Sequence, residues 1–286
     1  MIGIIGCGAM GSAMVQRLLE QGQSVICHDA IPETRTRLQA TGVTVADDLA
    51  TLASRCATII LSLPNADIVR AVMRELGPLL PAGTVILDTS TSEPDTTREL
   101  AAQAADAGYV FVDGPVSGGP SGARKGTMTM TLGGPAHTID SLRPLLAHLT
   151  ARIVHIGPSG SGHTVKIANN LLCAANLALV SEMARLAETQ GVSPEHLLEG
   201  INAGSGRSGV SEVNFPLWIL NGHYDSGFTM GLMRKDVGLA VSLAERTALD
   251  LPATRAIASI WEASRGALAD EADFNEIYKL GNSTDV

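Results

Sequence analysis

The chain has 286 residues, of which 45% are hydrophobic and 17% charged, with a formal net charge of −9 at pH 7. That length suits one large or two modest domains, and that apolar content supports a sizeable core rather than a disordered chain. The absence of any run of Lys and Arg argues against nucleic acid as the main partner, and no His, Cys and carboxylate cluster has metal-ligand spacing.

The apolar run Ile2, Ile4, Ile5 predicts a first strand over 2–6, so no targeting segment is expected ahead of it. Gly6-Cys7-Gly8-Ala9-Met10-Gly11 follows and opens a helical pattern over 9–21. Strand, glycine turn, helix is the setting in which G-x-G-x-x-G marks a dinucleotide site. Gly6 permits the tight turn, Gly8 the approach of a pyrophosphate, and Gly11 close helix–strand packing. The helix N-terminus adds N–H groups and a positive dipole end. With 30 glycines in the chain, the spacing alone also fits an ordinary glycine turn. The next predicted strand, 24–28, runs into Asp29, 18 residues beyond Gly11. That is close to the roughly 20 expected of the carboxylate that holds the adenosine ribose. An acid there favours NAD over NADP, because a 2′-phosphate would meet like charge; Arg35 and Arg37 lie near enough to soften the preference.

Further strands are predicted at 43–45, 57–62, 84–88, 109–112, 127–132 and 152–156. Helices at 33–41, 65–76, 94–107 and 136–148 fall between them, with Pro32, Pro94 and Pro135 at or near helix starts. This alternation predicts an α/β, doubly wound, mostly parallel sheet. In the 127–132 strand Thr alternates with Met and Leu, which makes one face more polar. Past residue 158 the strand signal stops, and helices are expected at 161–190, 194–203, 210–221, 231–248 and 253–268. Ser193-Pro194-Glu195 is a favourable helix start. The expected domains are therefore 1–158, binding the dinucleotide, and 159–286, all helical, joined through Pro158-Ser159-Gly160-Ser161-Gly162.

Between Ile167 and Val180 the first helix of the second half is apolar on nearly every face, which predicts burial all round, against both domains or a partner subunit. Asn169, Asn170 and Asn176 interrupt the run, making it too polar and too short for a membrane span. Cys7, Cys27, Cys56 and Cys173 have no C-x-x-C spacing and read as small buried side chains in a reducing compartment. A soluble cytoplasmic protein is expected.

Lys166 sits near the start of the apolar helix and Asn170 four residues on, so both point to one side. Burial disfavours an ammonium group and makes a Lys usable as an acid or base near neutral pH; the alternative is a Lys that snorkels into solvent. Asp113-Gly114-Pro115-Val116-Ser117-Gly118-Gly119-Pro120 lies beyond the carboxyl end of a strand. The Ser117 hydroxyl and the Gly118 and Gly119 N–H groups suit a carboxylate, although the segment also reads as a plain glycine-rich connection. Leu61-Ser62-Leu63-Pro64-Asn65 and Asp88-Thr89-Ser90-Thr91 end the fourth and fifth strands on the same edge, where their backbone and hydroxyls suit the lining of a cofactor channel. Arg234-Lys235-Asp236 reads as a solvated helix face, and His163, one turn before Lys166, as a capping or surface residue, the alternative being that it tunes Lys166. Phe228, Met230 and Ser205–Ser208 are candidate pocket walls.

The blocks IIGCGAMGSAM, SLPNADIV, DTSTSEP, DGPVSGG, GTMTMTLGG, GHTVKIANNLL and RKDVGLA, collinear through nearly the whole chain, resemble the β-hydroxyacid dehydrogenases, among them 3-hydroxyisobutyrate dehydrogenase and tartronate semialdehyde reductase. The resemblance implies a Rossmann-like N-terminal domain, a long interdomain helix, an all-α C-terminal domain like that of 6-phosphogluconate dehydrogenase, and homodimers or homotetramers. It implies Lys166 as the catalytic acid/base and Ser117, Gly118, Gly119 and Asn170 as substrate ligands. Cofactor contacts are implied at Gly6, Gly8, Ala9, Met10, Gly11, Leu63, Pro64, Thr91 and Lys235, beside Asp29. Cys7 stands where the family usually has Leu, and Val15 where Ala or Ser usually follows the helix Met; Arg124-Lys125 is more basic than expected. The function expected is reversible hydride transfer between NAD and a short 3-hydroxy acid. The alternatives are an oxidative decarboxylase like 6-phosphogluconate dehydrogenase and a non-catalytic NAD-binding module.

Overall fold

The computed structural model describes residues 1–281. The chain divides into two compact units, Met1–Lys166 and the residues from Ile167 onward.

The first unit alternates β1 (Ile2–Ile5), α1 (Ala9–Glu20), β2 (Val25–His28), α2 (Pro32–Ala40), β3 (Thr44–Val45), α3 (Leu49–Arg55), β4 (Thr58–Leu61), α4 (Ala66–Leu76), β5 (Val85–Asp88), α5 (Pro94–Ala107) and β6 (Val110–Asp113). These six strands lie in the order β3-β2-β1-β4-β5-β6, all parallel. After β3 the chain returns to the far side of β1, so the strand order reverses between β1 and β4, where doubly wound sheets bind ligands beyond their carboxyl ends. Both sheet faces are covered. Ile2 and Ile4 pack with Met14, Val15 and Leu18 of α1, while Ile5 faces Leu52, Val69 and Met73 of α3 and α4. Burying such a side chain contributes about 1.5–3 kcal/mol.

The remainder of the unit is β7 (Val116–Ser117), α6 (Gly119–Lys125), β8 (Met128–Gly133), α7 (Ala136–Leu146) and β9 (Thr150–Gly157). Here the sheet becomes mixed: β8 runs antiparallel to β6 and β7, and β9 pairs parallel with β8. Met128, Met130 and Leu132 are buried while Thr129 and Thr131 are half-buried, as the alternation predicts. The elements α3, α6 and β7 were not anticipated. A two-residue strand has no period to detect, and α6 carries Gly119, Pro120 and Gly122 in seven residues, a composition that disfavours helix.

The second unit holds most of α8 (Ser161–Thr189), then α9 (Pro194–Ala203), a π-helical stretch (Val210–Ile219), α10 (Met230–Thr247) and α11 (Pro252–Ala263). Ser193 caps α9 by accepting the His196 N–H. Ala174, Leu177 and Ala184 of α8 are fully buried, Leu177 joins Phe215, Met233 and Trp261 in the core, and the Trp261 indole N–H donates to Ala174 O at 3.2 Å.

Within the single chain, α8 is not buried on every face. Leu172, Leu179, Met183 and Leu186 are 62%, 50%, 44% and 56% exposed. Their spacing of seven, four and three residues places them on one side. An apolar composition says that every face can be buried; it does not supply a neighbour for each. The 29-residue helix is also long and apolar enough, by length and composition, to cross a membrane. Its opposite side is a core face carrying the buried polar groups Lys166, Asn170 and Ser181.

Candidate active site

The glycine turn follows β1 at the point where the strand order reverses. Gly6 has φ +88°, and a Cβ there would lie 2.3 Å from Ser62 O; a Cβ on Gly11 would lie 1.9 Å from Gly6 O. Both glycines are demanded by the fold itself. Gly8 is different, because a Cβ there would meet nothing within 4 Å. It caps α1 without a side-chain hydrogen bond, and the first turn holds no acid. Gly8 and Ala9 are exposed and Met10 half-buried, so an accessible helix N-terminus is presented beside open space. These residues fit the pyrophosphate of a dinucleotide.

Asp29 ends β2 as expected. Its Oδ2 accepts the Cys7 N–H at 2.6 Å and its Oδ1 the Ile31 N–H at 2.9 Å. Each carboxylate oxygen has a second lone pair, so the group can brace the glycine turn and still accept from a ribose. Arg35 donates to Asp29 O at 2.6 Å and Arg37 to Cys7 O at 3.3 Å. Cys7 and Cys27 are fully buried. Each thiol donates to a backbone carbonyl at 3.7 Å, Cys7 to His28 O and Cys27 to Thr44 O; the interaction of the two neighbouring thiols, with burial, pushes Cys7 up, and the same interaction lowers Cys27.

Beyond β4 and β5, Ser90 ties two turns together. Its Oγ accepts the Leu63 N–H at 3.0 Å, and its own N–H donates to Asp88 Oδ1 at 3.0 Å. Leu63 and Thr91 are half-buried and Pro64 exposed on this edge. Asp88 is buried, and its Oδ2 has no hydrogen-bond partner; burial pushes its carboxyl above the ordinary range, partly offset by His163 nearby.

Asp113, at the end of β6, has no exposed surface. Its Oδ1 accepts from Gly160 N at 2.8 Å and its Oδ2 from His163 N at 2.9 Å, so it satisfies amides at the start of α8. One turn further, Lys166 is 8% exposed. Its Nζ donates to Ser117 Oγ at 3.2 Å. The side chain therefore does not snorkel; the structure joins the predicted Lys166 to the predicted Ser117. Gly118 and Gly119 follow with φ +123° and +61°, at the start of α6.

In the second unit, the buried Asn170 donates its Nδ2 to Asp236 Oδ2 at 2.5 Å. Lys235 Nζ lies 3.3 Å from Asp236 Oδ1, within ion-pair range but without hydrogen-bond geometry. The triplet expected as a solvated face is mostly interior. Arg234 is buried and bonds Ser264, Asp270 and Leu268 O, and Asp236 is buried against Asn170. Met230 is fully buried, and Phe228 packs edge-on against Phe274 at 5.3 Å; both belong to the core. Arg124, Lys125 and Arg207 are exposed. The sequence alone gives no partner for Asp88, Asp113 or Asp236, places Ser90 only as a hydroxyl along the cofactor channel, and leaves His163 between tuning Lys166 and a capping or surface role. Their available signals were adjacency to Lys166 and Lys235 and position at the ends of strands.

A doubly wound sheet with an open glycine cradle at its switch point, and a buried Lys bonded to a Ser at the sheet's carboxyl edge, define a nicotinamide-dinucleotide oxidoreductase. Residues 1–157 match the family model described as the NAD binding domain of 6-phosphogluconate dehydrogenase, and residues 160–281 the one described as NAD-binding of NADP-dependent 3-hydroxyisobutyrate dehydrogenase. The chain is 36% identical to 2-(hydroxymethyl)glutarate dehydrogenase of Eubacterium barkeri, over 98% of this chain and 94% of that protein. It superposes on Mycobacterium tuberculosis 3-hydroxyisobutyrate dehydrogenase with L-serine at a TM-score of 0.91 and 28% identity, covering 97% of each chain. It also superposes on Psf3 in complex with NADP+ and 2-OPP at a TM-score of 0.84 and 27% identity, covering 98% and 99% of the two chains. The chain belongs to the β-hydroxyacid dehydrogenase family, of the 3-hydroxyisobutyrate dehydrogenase type, and transfers a hydride between a nicotinamide dinucleotide and a small hydroxy acid.

Proposed function

We propose that the protein interconverts a short 3-hydroxy acid and its semialdehyde or ketone, with Lys166 as the general acid/base and NAD as the preferred cofactor. The observation that carries the reading is the buried Lys166 with Nζ 3.2 Å from Ser117 Oγ. The nicotinamide ring, when bound, accepts or returns the hydride. Ser117, Gly118 and Gly119 hold the substrate carboxylate, and Asn170 orients its hydroxyl. Lys166, as the neutral amine, takes the hydroxyl proton as the carbon is oxidised; in the reverse direction its ammonium protonates the carbonyl oxygen. Such acid–base help is worth about 10²–10⁴-fold.

Residues 1–158 form the dinucleotide-binding domain and 159–286 the helical domain for substrate and assembly. Gly6, Gly8, Ala9, Met10, Gly11, Leu63, Pro64, Thr91 and Lys235 serve as cofactor-binding residues. Asp29 takes the ribose hydroxyls and disfavours a 2′-phosphate, a preference supported by the attachment of Arg35 and Arg37 to backbone carbonyls. The Psf3 complex holds NADP+, which makes cofactor choice a point to measure. A second copy of the chain covers the exposed stripe of α8 in a homodimer or homotetramer, working in the cytoplasm.

The test is absorbance at the NADH band with 3-hydroxyisobutyrate, 2-(hydroxymethyl)glutarate, glycerate, 3-hydroxypropionate, 4-hydroxybutyrate, threonate and serine, each with NAD and NADP. Turnover of at least one acid without carbon dioxide release, and faster with NAD, is expected. Carbon dioxide release would replace this reading with oxidative decarboxylation, and a strong NADP preference would overturn the role given to Asp29.

A further inference from the structure

His163 has no exposed surface, and both of its ring nitrogens and its backbone N–H are engaged within the first unit. Its Nε2 lies 2.9 Å from Ser90 O. A carbonyl oxygen only accepts, so Nε2 carries the hydrogen. In the neutral ring Nδ1 is then the acceptor, and it sits 2.7 Å from Thr97 Oγ1. The His163 backbone N–H is held by Asp113. The seat is close on the neighbouring residue as well: a Cβ on Gly162 would stand 2.5 Å from Thr131 O and 2.8 Å from Asp113 Oδ2. The first turn of α8 is thus fixed twice, through its backbone to the end of β6 and through the His163 ring to the segment after β5 and to α5.

Ser90 makes this more than a packing contact. The residue whose carbonyl receives His163 Nε2 also receives the Leu63 N–H on its hydroxyl, at 3.0 Å. It therefore fixes the Leu63-Pro64 turn, and it immediately precedes Thr91. Lys166 lies three residues after His163, on the next turn of the same helix. A chain of hydrogen bonds runs from the turn beyond β4, through Ser90, to the helical turn that launches Lys166.

We propose that His163 is a positioning residue, whose ring sets the placement of Lys166 Nζ relative to the cofactor-side turns beyond β4 and β5. The inference rests on the reading of Lys166 as the acid/base. The charged groups around the ring are Asp88 of β5, whose Oδ2 is 4.0 Å from Nε2, and Asp113 of β6 at its backbone. Neither accepts from the ring itself, which leaves Ser90 and Thr97 to orient it.

The experiment compares His163→Ala, His163→Gln, Thr97→Val and Lys166→Ala by steady-state kinetics with the best substrate, by NADH binding from fluorescence, and by thermal melting. Misplacing a catalytic group by about 1 Å can cost roughly 100-fold in rate. His163→Ala is expected to lower kcat about 10–100-fold while NADH Kd stays within about threefold. The Gln side chain can donate its Nε2 to Ser90 O, and His163→Gln is expected to recover most of the lost kcat. Thr97→Val keeps the volume and removes the Nδ1 partner, and an intermediate fall is expected. A purely structural role would lower the melting temperature of His163→Ala without this split between kcat and Kd, and would overturn the proposal. Wild-type kcat in both His163→Ala and Thr97→Val would do the same. Should His163→Ala fail to fold, Thr97→Val decides: a reduced kcat at unchanged Kd supports the proposal, and an unchanged kcat removes it. Lys166→Ala separates the two levels. Wild-type turnover in that variant refutes the acid/base reading itself, whereas an inactive Lys166→Ala beside a fully active His163→Ala refutes only the positioning role.

Discussion

Asn170 donates its side-chain amide to Asp236 Oδ2 at 2.5 Å, with both residues buried. An ionised carboxylate only accepts, so Asp236 dictates which way the Asn170 amide faces. Asn169 Nδ2 reaches Asn170 Oδ1 from the other side at 3.1 Å. One amide hydrogen and one lone pair are thereby committed, and the group that the proposed mechanism turns toward the substrate has a fixed orientation.

Asp236→Ala releases that amide. A hydrogen bond to a charged group is worth about 1.5–3 kcal/mol, so KM for the hydroxy acid should rise at least tenfold. Steady-state kinetics at saturating cofactor measures this, and an unchanged KM would mean that the Asp236 contact does not orient a substrate ligand.

The glycine turn separates fold from ligand. Gly8→Ala should leave the melting temperature nearly unchanged, because the added Cβ meets nothing, yet weaken cofactor binding by tenfold or more. Gly11→Ala forces a Cβ toward Gly6 O and should cost about 1–3 kcal/mol of stability. Thermal melts and NADH titration of the two variants test the contrast. Equal cofactor affinity in Gly8→Ala and the wild type would remove Gly8 from the pyrophosphate site.

Asp88 gives a pH dependence of defined sign. Burial raises its carboxyl above the ordinary 3.8, so the folded state binds a proton that the unfolded state has released. Its contribution to stability is complete below 3.8 and declines as pH rises through the elevated value. Asp88→Asn cannot ionise. Urea midpoints measured from pH 4 to 8 should fall more steeply for the wild type than for Asp88→Asn, whatever constant offset the amide introduces. Parallel curves would show that Asp88 does not titrate in this way.

Leu179 lies in the middle of the exposed stripe on α8. Leu179→Glu should convert the proposed oligomer to monomer at micromolar concentration without lowering the melting temperature of the monomeric chain. Light scattering coupled to size exclusion reads the mass directly, and a monomeric wild type would dispose of the oligomer altogether.

The sequence by itself determined the elements with a detectable period and the turns with a chemical signature. β1, β2, β4, β5, β6 and the long helices follow from apolar runs and periodicity, since burying a face is what makes such segments fold. Gly6 and Gly11 were legible because only glycine tolerates their close contacts, and Asp29 because the end of β2 lies a fixed distance along the chain from the turn. Lys166 was legible as a cation in an apolar helix, and Asn170 as its neighbour one turn on. Tertiary structure decided what has no local signature. It closed the Lys166–Ser117 contact across 49 residues. It also turned Arg234 and Asp236 inward, where a charge triplet read locally as a solvated surface. Asp113 capped a helix 50 residues away, and His163 came to rest on Ser90. One side of α8 was left uncovered by its own chain although the sequence is apolar all round. The physical reason is common to all of these. Periodicity and turn chemistry act through a few neighbouring residues, whereas the partners of a buried polar group are chosen by the packing of distant elements, which supply the carbonyls, carboxylates and hydroxyls that a desolvated group must find.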